Sequence, residues 1–355
     1  MRKIVSTKLK GLVALAVLLV AFSSVVSAQR VAIIDAGSSG SRLFVYEVVQ
    51  SETPSIKLLF PLTPEQKKVA KGRALSSVAN QTDSVRVFLE GMTAKFQSEQ
   101  TSIYILATAG MRLKSETQAE AIYDKLRNLG TVNGYHIEGA MTISGQYEGL
   151  YGWLAANYDH GNIDVEHTDS GNQLAYTDYP HGILEIGGAS MQLAFSTTSN
   201  GKDCLYRPGL NYIYTKSYLG AGVDQIFKNS KRKGKGYKFE LALEDVSNQY
   251  QSNTWFIGLG IPVNNVIKGI IEQDQHISYK KRINTYIKSL NEFKDTKQNY
   301  HPRINSHYIK WVSEHLNLDN KLVQPFKDSS WTLGAALDIL INKKAPEKYN
   351  HQLKN

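Results

Sequence analysis

Asp35-Ala36-Gly37-Ser38-Ser39-Gly40-Ser41-Arg42 lies between two strand-like runs, Val31-Ala32-Ile33-Ile34 and Leu43-Phe44-Val45-Tyr46-Glu47-Val48-Val49. The first run is short and continuously apolar; the second is rich in β-branched and aromatic residues. Small and turn-forming residues between two such runs read as a tight hairpin. The turn also has chemical content. Its glycines let the backbone approach a ligand closely, and successive N–H groups in such a turn make a nest for an anion. The hydroxyls of Ser38, Ser39 and Ser41 add donors. Asp35, at the end of the first strand, is placed to hold a divalent metal directly or through water. These are the parts of a phosphate and metal clamp, although a turn built from small residues for geometry alone has the same composition.

The pattern recurs about 150 residues later, where Glu185-Ile186-Gly187-Gly188-Ala189-Ser190-Met191-Gln192 follows Gly182-Ile183-Leu184 and precedes Leu193-Ala194-Phe195. Acidic residue, glycine turn and serine come in the same order. Two such hairpins at domain-sized separation suggest a duplicated unit with phosphates held between facing turns. That is the logic of the actin-like, ribonuclease H-like superfamily. It predicts an α/β fold of two lobes with the active site in the cleft between them.

The rest of the chain bounds this reading. A length of 355 residues suits two domains, and 42% hydrophobic with 21% charged residues is a globular composition. The front is different. Arg2, Lys3, Lys8 and Lys10 precede an apolar run from Gly11 to Phe22, and Val26-Ser27-Ala28 offers small residues for a signal peptidase. The run is short for a membrane span, which needs about 20 apolar residues. Residues 1–28 are expected to be a cleaved signal peptide, leaving a secreted or periplasmic chain with no membrane span. Losing four basic and no acidic residues lowers the net charge from +9 to +5. That balance, without an aromatic-studded basic surface, gives no reason to expect nucleic-acid binding. The single cysteine, Cys204, excludes an intrachain disulfide.

Between the hairpins, Val85 to Phe96 has helical apolar spacing. Ser102 to Leu106 reads as a buried strand leading into Ala107-Thr108-Ala109-Gly110-Met111-Arg112, and Glu116 to Leu129 reads as an amphipathic helix closed by Gly130. Thr108 sits where open α/β sheets bind ligands, at the carboxyl end of a strand. In Ile143 to Leu154, Tyr147, Leu150, Tyr151 and Leu154 share a helical face, and Glu148 falls off it in the first turn. A carboxylate there gains from the helix N-terminus or serves as a general base. Gly149 and Gly152 each cost a helix about 1 kcal/mol relative to alanine, which suggests that another backbone passes close by. Residues 158–182 read as a hairpin or loop. Asn211 to Phe227 reads as a helix with a glycine break, and Lys228 to Lys238 as a basic surface loop. Ser329 to Ile341 reads as a last helix, and residues 343–355 as a mobile tail.

Taken together the chain resembles the nucleoside triphosphate diphosphohydrolases, the apyrase family. Five stretches carry the resemblance in family order: DAGSSGSR, ATAGMR, ISGQYEGLYGWLAANY, EIGGASMQ and SWTLGAAL. The resemblance implies a hydrolase that takes terminal phosphates from nucleoside tri- and diphosphates, using Ca2+ or Mg2+; a monomer is expected. It places Glu148 at the catalytic base. Asp35 and Glu185 fall where acidic residues hold the metal through water. Ser38, Ser39, Gly40 and Ser41, with Gly188, Ala189, Ser190, Met191 and Gln192, fall in the phosphate-gripping turns. Thr108, Ser190 and Gln192 fall where side chains position the water. The implied lobes are residues 29–143 completed by 327–344, and residues 144–326, with 345–355 as the tail.

Two residues depart from the family pattern: Glu185 in place of Asp, and Met191 in place of Thr. The extra methylene moves the carboxylate by roughly 1.5 Å, one carbon–carbon bond. Two expectations follow: that Glu148→Ala abolishes hydrolysis without unfolding, and that Glu185→Asp keeps or raises activity. The related exopolyphosphatase and guanosine pentaphosphatase family shares the two hairpins, but is expected to show Asn in the first and a GGGSTE-like second. A nucleotide-binding module without turnover is the reading from a different class, and Glu185 is its only support.

Overall fold

In the computed structural model the described residues are 29–78, 80–178, 180–229, 231–233, 236–239, 241–271, 279–292, 297–318, 321–325 and 330–348. The expected signal peptide, the end of the tail and part of the basic stretch after Lys228 lie outside them. Among the described residues no helix is long and apolar enough to cross a membrane.

Two sheets have the same topology. The first is built from β1 (Arg30–Ala36), β2 (Ser41–Val49), β3 (Ser55–Phe60), β4 (Thr101–Ala107) and β5 (Tyr135–Thr142), in the order β3-β2-β1-β4-β5. The first three strands are antiparallel to one another, and β4 and β5 run parallel to β1. The second contains β6 (Gly182–Ile186), β7 (Ser190–Thr197), β8 (Asn211–Leu219), β9 (Phe256–Leu259) and β10 (Leu322–Pro325), in the order β8-β7-β6-β9-β10. Again the first three are antiparallel, and the last two parallel to β6. The sheets have seven and six strands in all, and each contains the five-stranded unit of a ribonuclease H-like lobe, so the expected actin-like duplication is present in the backbone. The two glycine hairpins are the β1–β2 and β6–β7 turns.

Helices α1 (Thr82–Thr93) and α2 (Glu116–Arg127) cover one face of the first sheet, burying Val85, Phe88, Leu89, Ile122 and Leu126 against Ile34, Val45 and Ile105. Helices α3 (Gly145–Asp159) and, later in the chain, α7 (Trp331–Leu340) fill the space between the two sheets. Their apolar residues share one core with Val31 and Ile33 of the first sheet and Ile183, Ile213 and Ile257 of the second. Helices α4 (Ile261–Ile271), α5 (Tyr279–Glu292) and α6 (Lys297–His315) lie over the outer face of the second sheet, where Val266, Ile283, Tyr308 and Ile309 share a core with Leu184 and Leu193.

Four expectations need correction. Asn211 to Leu219 is the strand β8, and only Val223–Asn229 beyond it is helical. The run Tyr212-Ile213-Tyr214-Thr215 has strand-type side chains, and eight residues of β7 pair with it. The basic stretch forms a short antiparallel pair, Lys231–Lys233 with Gly236–Lys238. The neighbours crowding Gly149 and Gly152 of α3 are side chains, Thr215 and Glu185; the backbone that does pass close to α3 meets it at Tyr151, through Gly334. The start of the tail is docked, with Pro346 buried and Lys348 forming a bridge to Ile143.

Candidate active site

The repeated topology sets Asp35 and Glu185 at matching places, each one residue before the end of the first strand of its sheet. Asp35 lies opposite Arg42 across its hairpin, and Glu185 lies opposite Gln192. The two turns face each other. A Cβ on Gly188 would lie 3.0 Å from Ser38 Oγ and 2.6 Å from Asp224 Oδ2, and a Cβ on Gly110 would lie 2.7 Å from the Ser38 Cα. Close approach to the Ser38 backbone therefore requires glycine at 110, while at 188 a side chain would have to displace the Ser38 and Asp224 side-chain ends.

The N–H groups of Gly37, Ser38, Ser39 and Gly40, and those of Gly188 and Ala189, find no acceptor among the described residues. The second turn is held instead through its carbonyls. Gly187, Gly188 and Ala189 accept from the N–H groups of Val223, Asp224 and Gly220 at 2.9–3.0 Å. Both turns thus carry unspent donors, the property that suits a turn to an anion. Ser39 is exposed and Ser38 half-buried, but Ser41 is wholly enclosed and its hydroxyl has no partner.

Glu148 stands in the first turn of α3, which Ser144 caps by accepting from the Tyr147 N–H at 3.1 Å. Its Oε2 receives Arg112 Nη2 at 2.5 Å and Gln192 Nε2 at 3.0 Å, and no protein donor among the described residues reaches Oε1. Arg112 and Glu148 are both buried. Arg112 also lies 3.3 Å from Ser190 Oγ and 3.4 Å from the Ile143 carbonyl. Gln192 Nε2 lies 2.7 Å from Ser190 Oγ and 3.2 Å from Ser217 Oγ, while its Oε1 is buried without a partner. Glu148, Ser190 and Gln192 therefore form one network, drawn from α3 and the second hairpin and tied to the first sheet by Arg112.

Thr108 joins the first hairpin through a backbone bond to the Ala36 carbonyl at 3.4 Å, and its hydroxyl makes no capping bond to the turn that follows. Met191 is placed differently from its neighbours. Strand alternation turns Ser190 and Gln192 toward Glu148, while the Met191 side chain sits in the core of the second sheet with Ile186 and Phe195. The side chain at 191 is a packing residue, and a hydroxyl there would face apolar groups.

The carboxylates crowd one another. Burial pushes the Asp35 carboxyl up to about 7, with Arg42 pulling it down and Glu148 adding to the rise. Burial, then Glu148, then Asp35 hold Glu185 well above the usual carboxylate range, with Arg112 acting in the opposite sense. The Glu185 Oε2 atom is buried without a hydrogen-bond partner. Two desolvated acidic groups that repel each other, one with an orphaned oxygen, fit a divalent cation, whose charge would offset both terms. Among the described residues no group of three or more His, Cys, Asp or Glu side chains could hold a metal ion. With two carboxylates available, the donor set suits a cation that keeps most of its waters.

Sequence reasoning missed Arg112, Ser217 and Asp224. Arg112 had a signal: a cation directly after the glycine turn at the end of a strand. Ser217 had none once its segment was read as helix, and Asp224 meets Gly188 only through tertiary packing.

Paired ribonuclease H-like hairpins beside a buried carboxylate network place the chain in the actin-like fold class. Within that class the chain belongs to the GDA1/CD39 (nucleoside phosphatase) family, whose sequence profile matches residues 26–246. It is similar to nucleoside-triphosphatase ntp-1 of Caenorhabditis elegans, with 33% identity over 223 residues, 59% of this chain and 36% of that one. It is also similar to human ectonucleoside triphosphate diphosphohydrolase 3, with 31% identity over 205 residues, 52% of this chain and 37% of that one. The matched region spans little more than a third of the length of these relatives. Among solved structures, an Aquifex aeolicus Ppx/GppA phosphatase aligns over 89% of this chain and 100% of its own, with 14% identity and a TM-score of 0.49. A nucleoside triphosphate hydrolase from Neospora caninum aligns over 61% of this chain and 50% of its own, with 19% identity and a TM-score of 0.41.

Proposed function

We propose that this chain hydrolyses the terminal phosphates of nucleoside tri- and diphosphates in a secreted or periplasmic setting, with Glu148 as the base. The observation that carries the reading is the one-sided grip on Glu148: Arg112 and Gln192 take Oε2, and Oε1 is left for a water. In this reading the lobes are residues 29–143 with 327–344, and residues 144–326.

The phosphate chain lies between the two turns and takes the free N–H groups of Gly37 to Gly40 and of Gly188 and Ala189. Asp35 and Glu185 hold the water shell of Ca2+ or Mg2+; when bound, such an ion offsets charge on the phosphates and on the leaving oxygen. Glu148 Oε1 accepts a proton of the attacking water. Gln192 Oε1 is a second acceptor, and the Ser190 and Thr108 hydroxyls complete the positioning. The water oxygen bonds to the terminal phosphorus as the bridging P–O bond breaks. Orthophosphate and the shortened nucleotide leave, and the water's proton passes to Glu148. Positioning and electrostatics are the main sources of rate in phosphoryl transfer, and a carboxylate fixed by two donors meets that need.

Phosphate release from ATP, ADP, AMP and polyphosphate, with Ca2+, Mg2+ or EDTA, tests the proposal. Cation-dependent release from ATP and ADP, with AMP spared and EDTA silencing the reaction, is the expected result. Release from polyphosphate alone would assign the chain to an exopolyphosphatase-like role. Nucleotide binding without any release would make it a binding module.

A further inference from the structure

Gly152 occupies the middle of α3, where glycine weakens a helix relative to alanine. Its surroundings show what the missing side chain makes room for. A Cβ at 152 would lie 2.9 Å from Glu185 Oε2, 3.0 Å from Ile183 Cδ1 and 3.3 Å from Leu259 Cδ1. The nearest atom is the carboxylate oxygen, and it is the same Oε2 that is buried without a hydrogen-bond partner. Ile183 and Leu259 belong to the core between the sheets, so that side of the notch has little freedom to yield. An aspartate at 185 would end roughly 1.5 Å, one carbon–carbon bond, short of this contact.

We propose that Gly152 is a positioning residue for Glu185: the notch it leaves in α3 takes up the extra methylene and sets where the carboxylate stands in the cleft. The inference rests on the reading of Glu185 as a residue of the cation's water shell. A methyl group at 152 forces Oε2 to move. Glu148, one turn before Gly152 on the same helix, and Asp35 of the first hairpin already repel this carboxylate, so the displaced group cannot keep its placement toward the cation. With aspartate at 185 the same methyl group meets no carboxylate, and only its contacts with Ile183 and Leu259, common to both backgrounds, remain.

A four-protein cycle tests this: wild type, Gly152→Ala, Glu185→Asp and the double variant. Each is titrated calorimetrically with Ca2+ in the presence of a non-hydrolysable ATP analogue, and melted in EDTA. Gly152→Ala is expected to weaken Ca2+ binding about fivefold or more when Glu185 is intact, and to change it by less than about twofold when added to Glu185→Asp, a coupling typical of touching residues. An equal effect in both backgrounds, or none with Glu185 intact, overturns the proposal. If Gly152→Ala fails to fold, folding of the double variant is the expected rescue, and failure of both overturns it. A wild-type protein that takes up no Ca2+ with the analogue overturns the cation reading and this inference with it. The notch alone has failed when the wild type binds and the cycle shows no coupling.

Discussion

Glu148 and Arg112 form the pair on which the site's chemistry and its local stability both depend. On the sequence alone, Glu148→Ala abolishes hydrolysis and leaves the fold intact. The buried ion pair changes that expectation, because an unpaired buried guanidinium costs about 3–5 kcal/mol. Glu148→Gln is the cleaner variant, since its amide oxygen still accepts from Arg112. Its turnover of ATP is expected to fall by about 10²–10⁴, the range for loss of a general base, with nucleotide affinity near wild type and a smaller loss of melting temperature than in Glu148→Ala. Turnover close to wild type would remove Glu148 from the base role. A second residue gives a pH signature away from the site. Burial, and then His160, lower the pKa of His181 from its ordinary 6.5. The unfolded chain therefore binds the proton more readily, so this contribution to stability is complete above 6.5 and is lost as the pH falls toward the folded-state value. Urea midpoints at pH 5 and 7.5 are expected to differ less in His181→Asn than in wild type. The backbone bonds of His181 to Asn157 are unaffected by that change.

At the scale of elements, α3 and α7 cross through a contact that only glycine permits. A Cβ on Gly334 would overlap the Tyr151 carbonyl oxygen and its neighbouring backbone atoms. Gly334→Ala forces two backbones apart inside a shared core, and is expected to destabilise by about 1–3 kcal/mol or more, read as a lower urea midpoint. A midpoint at or above that of wild type would show that the helices separate without cost. The same scale separates what was legible from what was not. The hairpin turns, α1, α2 and α3 follow from local signals: apolar periodicity, glycine stops and the Ser144 cap. Strand β8 reads as helix in the sequence because Tyr212, Tyr214, Tyr218 and Leu219 have spacings that also suit a helical face. What makes it a strand is β7 on one side and Cys204–Arg207 on the other, and no local window contains those partners. Met191 is a second case. The sequence reading puts it in the turn, whereas β7 already begins at Ser190, and which face of that strand meets the core depends on where the second sheet packs.

At the scale of the molecule, α7 pins the two sheets to each other across nearly the whole length of the chain. Its Thr332 hydroxyl lies 2.8 Å from Tyr46 of the first sheet. Its Asp338 takes a two-pronged ion pair at 2.7 and 3.0 Å from Arg207, on the edge strand of the second. Both members of that pair are buried, so Asp338→Asn is expected to cost about 3–5 kcal/mol. Replacing both, as Arg207→Met with Asp338→Leu, is expected to recover much of the loss, since no charge is then left unpaired. Thermal denaturation of the three proteins checks the order, and a double variant less stable than the single one would contradict it. The amino-acid sequence by itself determined the two hairpins, their acidic residues, the order of the motifs and the duplicated architecture. Each of these is written in short runs whose period, turn residues and composition act locally. Tertiary structure alone decided that Arg112 grips Glu148, that Ser217 joins Gln192, and that Gly152 makes room for Glu185. Those contacts join residues tens of positions apart, and their energy comes from burial and charge pairing, which arise only when the two sheets close on α3 and α7.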